Sequence, residues 1–386
     1  MSGILNSYMI TNRANPGGTS CGQIYPLAPW QNFYFWAPGA NNSNASAYRQ
    51  SNLDPELVMP PSYLSRLEAD IVNAVNNGGP QVTLFIHGMS YLFPAACSLL
   101  GTFGQNLVNK GGYKGLLIGF SWPSYDSLES VAYYADPYTF PPQLTSRTIR
   151  DNINGSVKSL WVLLVQLAPL CRKHNAKLNI VCHSEGNYML MLAMYVLSLS
   201  SDPAVSELAG STRFIDQVLL LPADINNGAL QSPQGYAGQG APIAARANTV
   251  TVYWSKHDMM LQGSDGWTAW HNPSFPLRLG RHGLASYASG TILKNAIGLD
   301  CSQVANPNYA HYPPFTLVHD CYFYIQQILL DMAQTLSDVP PARVANRTPV
   351  PNQNQSFAMN PASGLLQSQS PFQPSLRCPV TAPAPA

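Results

Sequence analysis

Residues 182–186 read Cys-His-Ser-Glu-Gly, and they place a serine where a strand must give way to a helix. Leu178 to Cys182 is a short apolar run suited to a strand buried on both faces. Tyr188 to Leu197 is apolar almost all round, which suits a buried helix. A strand that turns into a helix over so few residues puts Ser184 on a sharp, exposed corner. That is the setting of a serine nucleophile in a G-x-S-x-G turn, with Cys182 at the first glycine position and Gly186 at the second. Small residues there let the chain turn tightly and let strand and helix approach closely. The plainer reading is a serine that merely caps the helix.

A serine hydroxyl is a weak nucleophile and needs a base that is itself oriented by a carboxylate. When the serine sits on such a turn, the expected chain order is serine, acid, histidine. Ser184, Asp258 and His319 satisfy it. Asp258 follows the apolar run Thr249–Trp254, and His319 precedes the last helical pattern. Asp224, after the run Phe214–Leu221, is the competing acid, with Asp258 favoured. A helix cap or a turn is the plainer role for Asp258. His282 and His311 compete with His319 as the base. A tetrahedral intermediate also needs two N–H donors. Glu185, just after the serine, supplies one, and Met89 in His87-Gly88-Met89 the other. Trp122, Tyr91 and the Tyr133-Tyr134 pair are candidates to line an apolar acyl pocket, with ordinary loop packing as the plainer alternative.

The elements that must hold these residues alternate. Strands are expected at Ser7–Ile10, Phe33–Trp36, Val82–Ile86, Gly115–Phe120, Leu178–Cys182, Phe214–Leu221, Thr249–Trp254 and Ala296–Leu299. Helices are expected at Leu64–Val75, Tyr91–Val108, across Ile149–Ala168, after Ser184, and at Asp320–Leu336. Residues 38–61 read as an exposed loop, and 260–292 as an excursion over the top of the sheet. This pattern predicts an α/β fold: one mostly parallel sheet with helices on both faces, forming a single domain over residues 1–336. Each chemical motif falls at the carboxyl end of a strand, where ligands of such sheets bind. From Ser337 onward there are ten prolines in fifty residues and only four charges, so 337–386 is expected to be an extended or disordered tail.

The 386 residues suffice for one large domain. Charged residues make up 10%, against roughly 25% in typical soluble domains, and the net charge is +1. No basic field for nucleic acid is present. The chain has no stretch apolar and long enough for a transmembrane segment, and no charged start followed by an apolar core. Seven scattered cysteines lack a C-x-x-C pair, so a reducing, cytoplasmic setting is the simpler expectation. No metal-ligand cluster, phosphate-cradling glycine loop or dinucleotide fingerprint appears, and no cofactor is expected.

Taken together, the motifs resemble a bacterial family of α/β-hydrolases of uncharacterised function. The matching stretches are Thr11-Asn12-Arg13, His87-Gly88, Phe120-Ser121-Trp122-Pro123-Ser124, His183-Ser184-Glu185-Gly186-Asn187, Pro222-Ala223-Asp224-Ile225-Asn226, Ser255-Lys256-His257-Asp258, Arg278-Leu279-Gly280 and His319-Asp320-Cys321-Tyr322-Phe323. They span roughly residues 8–336. Glu185 replaces a methionine, Pro222-Ala223 are in reversed order, and one residue is inserted after His319. The resemblance implies an α/β-hydrolase fold and a serine-hydrolase site, and no particular substrate. A small-molecule acyl ester is the leading expectation. A thioesterase or amidase would use the same residues, and a non-catalytic binding module could keep the scaffold. A surface or assembly role for the tail could coexist with any of these.

Overall fold

The computed structural model describes residues 6–13, 31–51, 56–89, 91–124, 147–199, 213–232, 239–271, 277–285, 291–306, 318–351, 353 and 355–361. Its centre is a sheet in the order β12-β13-β11-β9-β7-β6-β4-β5-β1-β2-β3. The strands are β1 (Ser7–Thr11), β2 (Phe33–Ala37), β3 (Arg49–Gln50), β4 (Gln81–Ile86), β5 (Leu116–Ser121), β6 (Lys177–His183), β7 (Ile215–Leu221), β9 (Ala247–Trp254), β11 (Ala296–Asp300), β12 (Arg347–Pro349) and β13 (Ser356–Met359). A separate pair joins β8 (Gln231–Ser232) to β10 (Thr291–Ile292). From β1 to β13 every neighbour is parallel; antiparallel pairs occur at the two edges, β1 with β2, β2 with β3, and β13 with β12.

Strand periodicity explains why both faces are covered. Along β4, Leu84 and Ile86 enter one apolar cluster while Phe85 enters the other; along β6, Ile180 and Cys182 oppose Val181 in the same way. The first cluster is built with α1 (Pro61–Asn76), α3 (Arg147–Lys173), α4 (Gly186–Leu199) and α5 (Ala241–Arg246). The second is built with α2 (Phe93–Asn109) and α8 (Gln326–Leu336). Two further helices, α6 (Met259–His271) and α7 (Leu279–His282), lie in the excursion after β9. The fold is therefore the expected mostly parallel sheet between two helical layers.

Three expectations need correction. The stretch 38–61 is not simply exposed: Tyr48 is buried, and Asn41 and Ser43 lie against Gly104 and Gly101 of α2, where a side chain would collide. The last helical pattern is split into a 3₁₀ turn (Cys321–Phe323) and α8. Most important, the sheet does not end before 337. Strands β12 and β13 extend it beyond β11, and residues 362–386 lie outside the described residues.

The physical reason is one ion pair that an average over fifty residues conceals. Arg347 donates from Nε and Nη2 to the two carboxylate oxygens of Asp331 on α8, each at 2.7 Å. Nη2 also donates to Thr335 Oγ1 at 2.7 Å, and the Tyr253 hydroxyl of β9 donates to Asp331 Oδ1 at 2.6 Å. Both charged side chains are buried. Burial opposes the charge on Arg347, but the bonds to Asp331 outweigh it and raise its pKa.

Truncation after Val339, or Arg347→Met, leaves Asp331 buried without its cation. Either change should cost about 3–5 kcal/mol, since removing one partner of a buried pair strands the other. Equilibrium urea unfolding checks this; a truncated chain with an unaltered midpoint would mean that β12 and β13 contribute nothing to the domain.

Candidate active site

The turn after β6 is as sharp as the sequence suggests, but Ser184 is buried and not exposed, because the end of β4 and its loop pack against it. Ser184 has φ +53°, in the left-handed region that non-glycine residues seldom adopt. What compels it is close approach. A Cβ at Gly186 would stand 2.5 Å from the carbonyl oxygen of Ile86 and 2.7 Å from that of His87, so α4 starts directly on the end of β4. A Cβ at Gly88 would stand 2.7 Å from Ser184 Cβ. Asn187 secures the turn from within: its Nδ2 donates to the carbonyls of Ser184 (2.7 Å) and Leu221 (3.0 Å). Neither glycine tolerates a side chain without backbone movement.

His319 and Asp258 meet at the same edge. His319 Nδ1 donates to Asp258 Oδ2 at 2.8 Å, and Asp258 is fully buried. The other oxygen, Oδ1, accepts the N–H of Leu261 at 2.9 Å in the first turn of α6. The cap on the first turn of α6 and the bond to His319 are thus made by the same carboxylate. Burial alone would depress the imidazole, but Asp258, Asp320 and Asp224 together outweigh it and hold its pKa at about 9. The turn carrying His319 is tied to the residue before the serine: His183 Nε2 donates to the His319 carbonyl at 3.1 Å, and the two rings lie 4.9 Å apart. His183 itself is kept neutral, its pKa pulled well down by burial and by His319.

Asp224 has a different partner. Its Oδ1 lies 3.1 Å from Arg278 Nε and accepts the Ser264 hydroxyl at 3.0 Å. Burial raises its pKa, opposed by Arg278 and Ser264. Around it, residues 278–280 wedge between the ends of β7 and β9. Leu279 N donates to Ile225 O, Gly280 N to Ala223 O, and Ser255 N to Gly280 O. A Cβ at Gly280 would stand 2.2 Å from Ala223 N, so only glycine fits the wedge. His282, a rival base, faces Asp265 at 2.7 Å, and His311 lies outside the described residues.

The remaining candidates divide. Glu185 is buried and Met89 half-buried, each beside the serine turn in sequence or through Gly88. Trp122 is buried, its ring parallel to that of His87, with its indole N–H donated to the His87 carbonyl at 2.8 Å. It packs the loop after β4 and is not open to an acyl chain. Tyr91 is half-buried and edge-on to His87. Tyr133 and Tyr134 lie outside the described residues. Sequence reasoning gave no role to His183, Asn187, Arg278 or Ser264. Only the first three stood in recognised motifs, and the type of contact each makes has no signature in the sequence.

Among the described residues, no group of three or more His, Cys, Asp or Glu side chains is disposed to hold a metal ion. Five of the cysteines (97, 171, 182, 301 and 321) are free and buried. No described helix is long and apolar enough to cross a membrane.

Residues 65–268 match the family described as alpha/beta hydrolase of unknown function (DUF900). No curated protein matches the chain. Among solved structures, the backbone is similar to a hyperthermophilic esterase from the archaeon Pyrobaculum calidifontis, at 10% identity over 67% of this chain and 74% of that one, with a TM-score of 0.31. It is also similar to esterase B from Lactobacillus rhamnosis HN001, at 9% identity over 86% of each chain, with a TM-score of 0.35.

The two carboxylates should separate in their effect on stability. Asp224→Asn leaves the buried Arg278 without its counter-ion and should lose about 3–5 kcal/mol. Asp258→Asn keeps an oxygen for Leu261 N–H and should lose less. Equal losses in urea unfolding would contradict the division of labour between them.

Proposed function

The chain belongs to the α/β-hydrolase family of unknown function (DUF900), and we propose that it is a serine hydrolase that cleaves a carboxylic ester through an acyl-enzyme on Ser184. One observation carries this reading. A serine held in the left-handed region directly follows His183, and His183 is bonded to the carbonyl of His319, whose imidazole is paired with the buried Asp258.

The chemistry follows from the bonds. Asp258 holds the Nδ1–H of His319 and so leaves Nε2 as the nitrogen that takes the Ser184 proton. Ser184 Oγ attacks the ester carbonyl carbon. The oxyanion that forms accepts hydrogen bonds from the N–H groups of Glu185 and Met89. Collapse breaks the bond to the alcohol, which leaves with the proton from His319. Water then attacks the acyl-enzyme with His319 as base, and Ser184 recovers its proton as the acid departs. Thioesters and amides would follow the same route; a panel of activated esters with the matching thioester and anilide sorts them.

Ser184→Ala should abolish fluorophosphonate labelling and lower kcat by roughly 10³-fold or more with the fold intact. Undiminished ester turnover by the folded variant would rule out Ser184 as nucleophile.

The pH profile gives a second test. His319 acts as base only when neutral, and its pKa is held up at about 9. The kcat/KM of the free enzyme should therefore rise with pH through a limb above the ordinary imidazole range. Asp258→Asn removes the anion that supports the imidazolium, so the limb should move to lower pH while the plateau falls, on the order of 10⁴-fold in the serine-protease precedent. A limb unmoved by Asp258→Asn would mean that another group titrates.

A further inference from the structure

Three motifs take no part in these steps: Thr11-Asn12-Arg13, His87-Gly88 and Phe120–Ser124. In the fold they meet at one place. Thr11 Oγ1 donates to the Ser121 carbonyl at 2.6 Å, which brings the end of β1 alongside the end of β5. Arg13 Nε donates to Ser121 Oγ at 3.1 Å, and its Nη2 donates to the carbonyls of both Trp122 and Tyr91. Ser124 Oγ accepts the Tyr91 N–H and donates to the Tyr91 carbonyl, each at 3.1 Å. Trp122 donates its backbone N–H to His87 Nε2 (3.2 Å) and its indole N–H to the His87 carbonyl (2.8 Å). The turn that carries Met89 is thus clasped at His87 on one side and at Tyr91 on the other. Gly88, between His87 and Met89, lies against Ser184.

Arg13 is an unusual group for such a place. It is fully buried, and its Nη1 has no hydrogen-bond partner. Among the described residues no carboxylate stands within ion-pair distance of it. A buried cation without an anion is costly, and an apolar side chain would fill the same space at less cost. Burial lowers the guanidinium to about 9, so it is still charged at neutral pH. Burial, with Arg13 second, holds His87 down at about 3. His87 is therefore neutral, with Nδ1–H on the Gly88 carbonyl and Nε2 accepting from Trp122.

We propose that Arg13 is a positioning residue for acyl transfer, fixing the loop after β4 so that the Met89 N–H faces the oxyanion formed at Ser184. The proposal rests on the serine-hydrolase reading of Ser184. The guanidinium fork bridges two loops that belong to different strands, which a lysine point charge cannot do in the same geometry.

The test compares Arg13→Met, Arg13→Lys and Ser124→Ala with the unaltered full-length chain. Misplacing a donor by about an ångström can cost on the order of 10²-fold, so Arg13→Met should lose about 10- to 100-fold in kcat with KM little changed. Fluorophosphonate labelling should slow in proportion, and hydrogen exchange at the His87 and Met89 amides should quicken. Arg13→Lys, which keeps the charge, should recover part of the loss. Ser124→Ala should act in the same direction, and the double variant should lose less than the product of the singles. If Arg13→Met fails to fold, Arg13→Lys and Ser124→Ala decide the matter. Wild-type kcat and exchange in those two folded variants overturn the proposal. An unaltered chain that neither takes the label nor cleaves esters would instead overturn the reading of Ser184. In that event exchange at Met89 still reports whether Arg13 holds the loop.

Discussion

The site depends on one constraint: the end of β4 and the turn between β6 and α4 occupy almost the same space. Gly186 lies on the Ile86 and His87 carbonyls, and Gly88 lies on Ser184. A parallel sheet sets neighbouring strands about 4.8 Å apart. A helix that begins immediately after one strand must therefore pass over the end of the next. Contact this close is possible only where side chains are missing. It forces Ser184 into a strained conformation and keeps it there, because the backbone on either side has nowhere else to go. The same contact brings the backbone after β4, at Gly88, next to that serine.

Much of the remaining structure serves to hold strand ends in register around that point. Asn187 ties the turn to β7, and His183 ties it to the turn of His319. The cradle of Arg13, Ser121, Trp122 and Ser124 ties β4 to β5. These are bonds between loops, made to backbone carbonyls, to a small hydroxyl and, at His87, to a neutral imidazole nitrogen. Loops here are fastened largely by amide and hydroxyl groups, in keeping with the low proportion of charge, and buried ion pairs stand at Asp224–Arg278 and Asp331–Arg347.

The fold was legible in the sequence because it rests on periodicity. The short apolar runs of β4 and β6, and the helical spacing in α1 and α3, are local signals that burial on both faces of the sheet explains. The corner at Ser184 was legible for the same reason, since apolar strand and apolar helix left no room for a loop. Pairings were harder to read. That His319 bonds to Asp258 and not Asp224 depends on where Arg278 sits, fifty-four residues beyond Asp224, and no pattern in the chain encodes that distance. Trp122 fitted an acyl pocket as well as it fitted packing until its indole N–H was seen on the His87 carbonyl. That the sheet runs past 336 was hidden because composition is an average, whereas β12 pairs with β13 and is anchored to α8 by the buried ion pair of Arg347 with Asp331.

The two aspartates show why one site needs both. Each follows a strand next to or near β6, and each could have faced the imidazole. A carboxylate that orients a base must stay fixed while the proton moves, so its second oxygen needs a rigid partner. Asp258 has that in the first turn of α6. Asp224 instead neutralises Arg278, and Arg278 begins the segment wedged between β7 and β9. The excursion after β9 thus leaves through Asp258 and returns through Asp224. Arg281, three residues after Arg278, donates to the Asp258 carbonyl at 2.7 Å and closes the circuit. If Asp224 took the imidazole, Arg278 would lose its anion and the returning segment its anchor. The position of Asp258 would then loosen as well. Which carboxylate meets the imidazole of His319 is therefore set by the excursion that both hold in place, and Asp224 bears on that imidazole through architecture and charge without touching it.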